Sequence, residues 1–336
     1  MPKFLIIQTA FIGDVVLATA LAEKLHKYYP TATIDFLLRK GNESLLNEHP
    51  YIGKVWVWDK KKDKTRNLLQ LAVDIRKQKY SHVINPHRFG SSGFITWLSA
   101  AKNKIGFDKN PFSFCYTKKV KHIISAPYAV KPIHEVDRNQ MLISDIAGEY
   151  PSFPKLYPTP ADYKKVNPYQ NGPYICIAPS SVWFTKQFPK EKWISLINVL
   201  PATHKIYLLG GPGDTLMADD IMKATTHSQV ENLCGQFGFL QSSALMQSAA
   251  MNYVNDSGPL HFASAVDAPV TAVFCSTVQG FGFGPLRNNG KVVEIKEGLY
   301  CRPCGLHGHR VCPEGHFRCA LDITNEQLLW WTSKPI

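Results

Sequence analysis

No apolar run in this 336-residue chain is long enough to cross a bilayer as a helix, which excludes a helical membrane anchor within the sequence. The first residues enter an apolar run directly, without the basic-then-apolar order of a secretory signal. Cysteine is scarce: eight residues in a chain of this length do not make a disulfide scaffold, and a reducing cytoplasm is the expected setting. There is no internal repeat and no low-complexity segment, so neither a repeat array nor a compositional tail is expected. What remains is a chain long enough for two α/β domains, each with its own core.

Acidic residues are the minority charge, and the shortage is local. The chain carries 38 Lys+Arg against 26 Asp+Glu, a net charge of +12. Residues 1–150 hold 23 basic and 13 acidic side chains, and the remainder hold 15 and 13, so +10 of the excess lies in the first half. The densest run is Lys60, Lys61, Lys62, Lys64 and Arg66. A basic half favours a polyanionic partner. The cluster lacks the interleaved aromatic and glycine pattern of an RNA-binding module, so nucleic acid is not expected. An anionic lipid at a membrane surface fits at least as well, and a solvated face is the bland alternative.

Apolar runs at 4–7, 33–38, 54–58 and 82–85 read as strands, and 14–28 and 67–79 as helices, the alternation of a βαβ sheet. Helical character returns at 134–147. Six prolines then punctuate residues 151–173, which read as a linker between an N-terminal domain, 1–155, and a C-terminal domain, 174–336. In the second half, strands are expected at 174–178, 205–209, 251–254 and 270–274, with helices at 190–200, 215–224 and 240–249.

Two strand-to-helix turns carry the chemistry. Asn255-Asp256-Ser257-Gly258-Pro259-Leu260-His261 follows an apolar strand and opens a small-residue helix. Backbone N–H groups at such a helix N-terminus receive phosphate readily, and His261 could donate to the same anion. Asp256 or Ser257 acting only as a helix cap is the alternative. Phe11-Ile12-Gly13-Asp14 forms the other turn, after Phe4-Leu5-Ile6-Ile7. Ligands of open α/β sheets bind beyond the carboxyl ends of strands, and the helix dipole keeps a carboxylate there ionised, so Asp14 is either a general base or an N-terminal cap. Ser180 and Ser181 follow a further strand, with Lys186 five residues on; hydroxyls, amides and an ammonium suit phosphate oxygens. His87-Arg88, after the strand at 82–85, is a candidate for acceptor anions.

Taken in order, Phe11-Ile12-Gly13-Asp14, Lys186 after Ser180-Ser181, Leu208-Leu209-Gly210-Gly211, Asn232-Leu233-Cys234-Gly235, the Asn255–His261 run and Pro269–Phe274 with Thr277 resemble glycosyltransferase family 9, the heptosyltransferases of the lipopolysaccharide inner core. The resemblance implies a GT-B fold of two Rossmann-like domains facing a central cleft, with the acceptor on the first and the nucleotide sugar on the second. It leaves open whether the last helix packs back on the first domain. It implies an inverting transfer of heptose from ADP-heptose to an anionic Kdo- or heptose-bearing lipid A, with Asp14 as base. The leaving diphosphate would be stabilised without metal by Lys186, the Ser257 and Gly258 amides and His261. Asp256 reads as a sugar-hydroxyl acceptor rather than a metal ligand, since no second carboxylate completes an Asp-x-Asp pair. Asp214 matches a family acidic donor contact loosely, and His134 and Arg138 match a His-x-x-x-Arg element at the start of a helix. No cofactor is required on this reading, and a monomer in peripheral contact with the cytoplasmic face of the inner membrane is expected.

The C-terminal Cys301, Cys304, Cys312 and Cys319, interleaved with His307, His309 and His316, offer enough ligands for a structural zinc ion. The spacing after the first pair is not the usual second Cys-x-x-Cys, and reduced, packed cysteines are the other reading. Two further functions stay open: another GT-B nucleotide-sugar enzyme, with a different donor or an epimerase activity, and a non-catalytic zinc-bearing polyanion binder.

Overall fold

Runs such as Phe4–Ile7, buried along their whole length, form strands only where both faces of a parallel sheet are covered. The computed structural model describes residues 1–286, 289–329 and 331, and resolves two compact units. One comprises Met1–Ile124 with Ile133–Tyr157; the other comprises Ser125–Pro132 with Pro158–Ile336.

The first unit holds β1 (Lys3–Ile7), β2 (Thr33–Arg39), β3 (Val55–Trp58), β4 (His82–Asn85), β5 (Asn103–Phe107) and β6 (Lys118–Val120). All pairings are parallel, and the order across the sheet is β3-β2-β1-β4-β5-β6. The second unit repeats this with β7 (Tyr174–Ala178), β8 (Lys205–Leu208), β9 (Val230–Asn232), β10 (Met251–Asn255), β11 (Val270–Phe274) and β12 (Gly290–Glu294), in the order β12-β11-β10-β7-β8-β9. Numbered from its own first strand, each sheet runs 3-2-1-4-5-6, the doubly wound arrangement whose ligands sit where the winding reverses. That point falls between β1 and β4 in one unit and between β7 and β10 in the other.

Helices cover the sheets because their apolar stripes have nowhere else to be buried. In the second unit Ile175, Ile177, Trp193, Leu196, Ile206 and Ile221 are fully buried in one cluster, each aliphatic side chain contributing roughly 1.5–3 kcal/mol by leaving water. Leu328, in the last described helical turn Asn325–Leu328, joins that cluster. The proline-rich stretch expected as a linker contains a helix, Pro160–Val166, capped by Thr159, whose hydroxyl accepts from Asp162 N at 3.2 Å. Its Tyr163 hydroxyl donates to Gln247 at 2.6 Å, tying it to the second unit.

The segment Ser125–Pro132 belongs to the second unit although first-unit sequence flanks it on both sides. Tyr128 donates to the Arg302 carbonyl at 3.0 Å. Gly280 lies so close to this segment that a Cβ there would fall 2.0 Å from the Pro127 carbonyl oxygen, which only glycine avoids.

Candidate active site

In the second unit the candidate residues follow the carboxyl ends of adjacent strands: Ser180 and Ser181 after β7, Asp214 after β8, Asp256 after β10 and Thr277 after β11. Asn255, fully buried, holds the first of these loops at both ends. Its amide donates to the carbonyls of Pro179 (2.8 Å) and Ser180 (3.3 Å), and its carbonyl accepts from Phe188 N at 2.9 Å. The loop between carries Lys186, and its ammonium lies 2.7 Å from Asp256 Oδ2. Thr277 donates to the same oxygen at 2.6 Å. Asp256 is thus neither a bare helix cap nor exclusively a sugar contact: its carboxylate aims the lysine, while Oδ1 takes part in neither bond. An ammonium with three N–H groups keeps donors for an incoming anion after giving one to Asp256.

Ser257 is the N-cap of the helix Gly258–Ala265, in extended backbone, so the N–H groups that open the helix are left without helical partners. His261 lies within that helix, buried, with its ring 6.3 Å from Phe283 in a T-shaped arrangement. Asp214 turns back on its own loop and accepts from Gly211 N at 2.8 Å, the geometry of a local cap.

In the first unit Asp14 is the third residue of the helix Ile12–Tyr28, and its Oδ2 accepts from Phe11 N at 3.1 Å. This one-sided cap fixes the carboxylate at the positive end of a helix. Glu135 lies within electrostatic reach. Burial pushes its carboxyl up to about 7; the ion pair with Arg138 opposes this and the Asp14 charge adds to it.

Arg138 is buried, and besides Glu135 it donates to the carbonyls of Ile123 (2.7 Å) and Ile133 (3.1 Å). His134 is the N-cap of the helix Glu135–Gln140, where Nδ1 accepts from Val136 N at 3.1 Å. The His-x-x-x-Arg element therefore holds the loop before this helix. His87 is buried against Thr9, with Oγ1 3.0 Å from Nδ1, and burial with the Lys60 and Arg88 charges pulls its imidazole down to about 3. It is neutral at physiological pH and offers no cation for acceptor anions. Arg88 does face open space: with Phe89, Lys109, His122 and Ile124 it lines a cavity of about 420 Å³ beyond the ends of β4, β5 and β6.

Lys60 departs from the basic run to which it belongs in sequence. Its ammonium donates to the Thr9 carbonyl at 2.7 Å and lies 4.7 Å from the centre of the Trp58 ring. Burial, then the Arg39 and Lys64 charges, lower it to about 8. Lys61, Lys62, Lys64 and Arg66 are exposed.

Cys301, Cys304, Cys312 and Cys319 line one cavity of about 310 Å³ in the second unit, with His309 and His316. They are not gathered as a ligand set. Among the described residues no group of three or more His, Cys, Asp or Glu side chains is placed to hold a metal ion. Cys304 Sγ instead lies 3.5 Å from the Cys301 carbonyl, Cys301 Sγ lies 3.8 Å from His316 Nε2, and burial pushes the Cys319 thiol up to about 12.

Sequence reasoning did not assign Asn255, Thr277, Lys109 or His122. Asn255 stood inside a recognised run, but its partners lie 67 to 76 residues away. His122 sits in a stretch with no motif, and only the sheet order brings it beside Arg88.

Solved structures share this arrangement of sheets. The crystal structure of a family 9 glycosyl transferase from Veillonella parvula DSM 2008 matches with a TM-score of 0.83 at 20% identity, covering 98% of this chain and 95% of that one. An Escherichia coli ADP-heptose lipopolysaccharide heptosyltransferase II matches with a TM-score of 0.78 at 19% identity, covering 97% and 96%. The fold is GT-B. In sequence the chain is 26% identical over 294 residues to lipopolysaccharide heptosyltransferase 3 of Escherichia coli, covering 83% of this chain and 85% of the relative. Residues 68–313 match the family described as glycosyltransferase family 9 (heptosyltransferase), and with that match spanning most of its length this chain is a transferase belonging to glycosyltransferase family 9.

Proposed function

We propose that this enzyme transfers a heptose from ADP-heptose to the inner core of lipopolysaccharide, with inversion at the anomeric carbon. The observation that carries the reading is the partly buried ammonium of Lys186, aimed by Asp256 beside the switch point between β7 and β10. The activities of the relatives support the donor and acceptor assignments.

The second unit binds the donor. Ser180, Ser181 and the amides of Ser257 and Gly258 receive the diphosphate. The Lys186 ammonium meets the charge that develops as the bond from the anomeric carbon to the phosphate oxygen breaks and ADP leaves with the electron pair. Fixed donors of this kind act without a divalent metal. The first unit binds the acceptor. The Asp14 carboxylate takes the acceptor hydroxyl's proton as its oxygen forms the new bond to the anomeric carbon. Arg88 and Lys109, at their cavity, suit the acceptor's anionic groups. Lys61, Lys62, Lys64 and Arg66 hold the protein loosely against the anionic inner face of the cytoplasmic membrane.

The test is a transfer assay on Kdo–lipid A acceptors with and without core heptose, read by mass spectrometry, with a panel of nucleotide sugars and with or without chelator. ADP-heptose is expected to give a product heavier by one heptose at a rate the chelator leaves unchanged. Transfer from another nucleotide sugar but not from ADP-heptose would overturn the donor assignment. Loss of activity in chelator, restored by magnesium, would overturn the metal-independent mechanism.

A further inference from the structure

Asp256 Oδ2 accepts from Thr277 as well as Lys186, and the loop that carries Thr277 has a support of its own. Thr277 and Ser276 follow β11, and the carbonyls of 274–277 lie at or beyond the end of its ladder with β12. Unpaired buried carbonyls are costly. The guanidinium of Arg302, almost wholly buried, satisfies three of them: Nε donates to Cys275 O at 2.8 Å, and Nη2 reaches Phe274 O at 3.2 Å and Thr277 O at 2.6 Å. Glu294 Oε2, at the end of β12, lies 2.5 Å from the same Nη2 and balances its charge. A planar fork can do this; a lysine ammonium at the same position is a single point.

The chain beyond Arg302 then clasps the lysine loop from its other side. Cys304 N donates to Ser276 O at 2.8 Å, Ser276 Oγ lies 3.0 Å from Thr185 Oγ1, and Thr185 N donates to His309 O at 3.1 Å while His309 N donates back to Thr185 Oγ1 at 2.7 Å. Gly308 makes this approach possible: it has φ +74°, and a Cβ there would fall 2.8 Å from Thr185 Oγ1 and 3.1 Å from Lys186 Cγ.

We propose that Thr277 and Arg302 are positioning residues for Lys186: Arg302 fixes the loop after β11, Thr277 on that loop orients the Asp256 carboxylate, and Asp256 holds the ammonium where the diphosphate binds. This rests on the reading of Lys186 as the diphosphate's cation. It gives the C-terminal Cys301–Cys312 loop a task in the reaction through the residues between its cysteines.

The test is a double-mutant cycle between Thr277→Val and Lys186→Ala, read as ADP affinity by calorimetry and as kcat, with thermal unfolding of every variant. Thr277→Val keeps the side chain's shape and removes only the hydroxyl; it is expected to weaken ADP binding and lower kcat by about tenfold each, with the unfolding midpoint little changed. Thr277→Ser is expected to restore both. In the Lys186→Ala background Thr277→Val is expected to cost nothing more, because the group it positions is gone. Arg302→Lys is expected to behave like Thr277→Val; should it fail to fold, the Thr277 cycle decides alone. Wild-type ADP affinity and kcat in Thr277→Val, or a loss that adds in full to that of Lys186→Ala, would overturn the inference while leaving the diphosphate role of Lys186 intact. An unchanged ADP affinity in Lys186→Ala would overturn that role itself.

Discussion

The two units wind their sheets in the same order and treat charge in opposite ways. In the second, Lys186 and Arg302 are each drawn inward against a carboxylate, and Arg302 also against backbone carbonyls, so their positions are set before a ligand arrives. In the first, most of the excess positive charge stays on the surface, and Lys61, Lys62, Lys64 and Arg66 are exposed. A nucleotide diphosphate presents the same few oxygens each time, and a preorganised site loses little on binding it. A lipid-borne polyanion presents many charges in variable positions, and a diffuse field attracts it without fixed partners. The same scaffold thus suits a precise site and a permissive one, depending on whether its charged side chains are paired.

The contrast is sharpest at Asp14, a carboxylate held at a helix N-terminus on the permissive side. Asp14→Asn is expected to lower kcat by roughly 10²–10⁴-fold with ADP affinity unchanged, since the amide keeps the cap's acceptor oxygen but cannot take a proton. Single-turnover rates beside calorimetric ADP binding check this, and near wild-type turnover would remove the base from the first unit. Next in size, reversing Lys61, Lys62, Lys64 and Arg66 to Glu is expected to raise the acceptor KM by roughly tenfold at low salt and far less at high salt, with donor KM unchanged. Equal acceptor KM at both ionic strengths would mean that the exposed charge is only solvated surface.

The smallest effect concerns Lys60, the member of the basic run that is not exposed. Its folded-state value of about 8 lies below the ordinary lysine range, so between about 8 and 10.5 the unfolded chain binds more protons than the folded one. Stability from this group therefore rises with pH across that window. Lys60→Met is expected to be relatively more stable than wild type at pH 7 and to lose part of that advantage by pH 10, as measured by urea unfolding at each pH. A constant difference would place the ammonium in water with its neighbours.

Elements that are apolar throughout could be read from sequence. Tyr174–Ala178 and Val270–Phe274 were expected as strands with the bounds the structure gives them, because continuous burial leaves a continuous apolar run. The short outer strands β6, Lys118–Val120, and β9, Val230–Asn232, were not read, since each is three residues long and none of their residues is fully buried. Gly90–Leu98 hid as a helix because Gly90, Ser91, Ser92 and Gly93 resemble a loop, whereas the Ser92 hydroxyl donates to the His87 and Phe89 carbonyls and Gly93 fits against Asn110 and Phe112. Among the candidate residues, Lys186, Asp256 and Asp14 stand out in sequence because each follows a strand at a turn. Their partners were not: Thr277 meets Asp256 across 21 residues, and Arg302 meets the loop after β11 across 25 to 28. Sequence shows which residues could be charged partners, and only the strand order shows which of them meet.

The short excursion Ser125–Pro132 has a consequence for how such a protein can be rebuilt. Because the chain visits the second unit and returns before crossing for good near residue 157, no single cut separates the units. A graft that exchanges everything after residue 157 would import a notch shaped around another protein's crossing segment, while Pro127 and Tyr128 stayed behind without Gly280 and the Arg302 carbonyl. Those eight residues must travel with the second unit, so exchanging that unit between relatives takes three junctions, before Ser125, after Pro132 and after Tyr157.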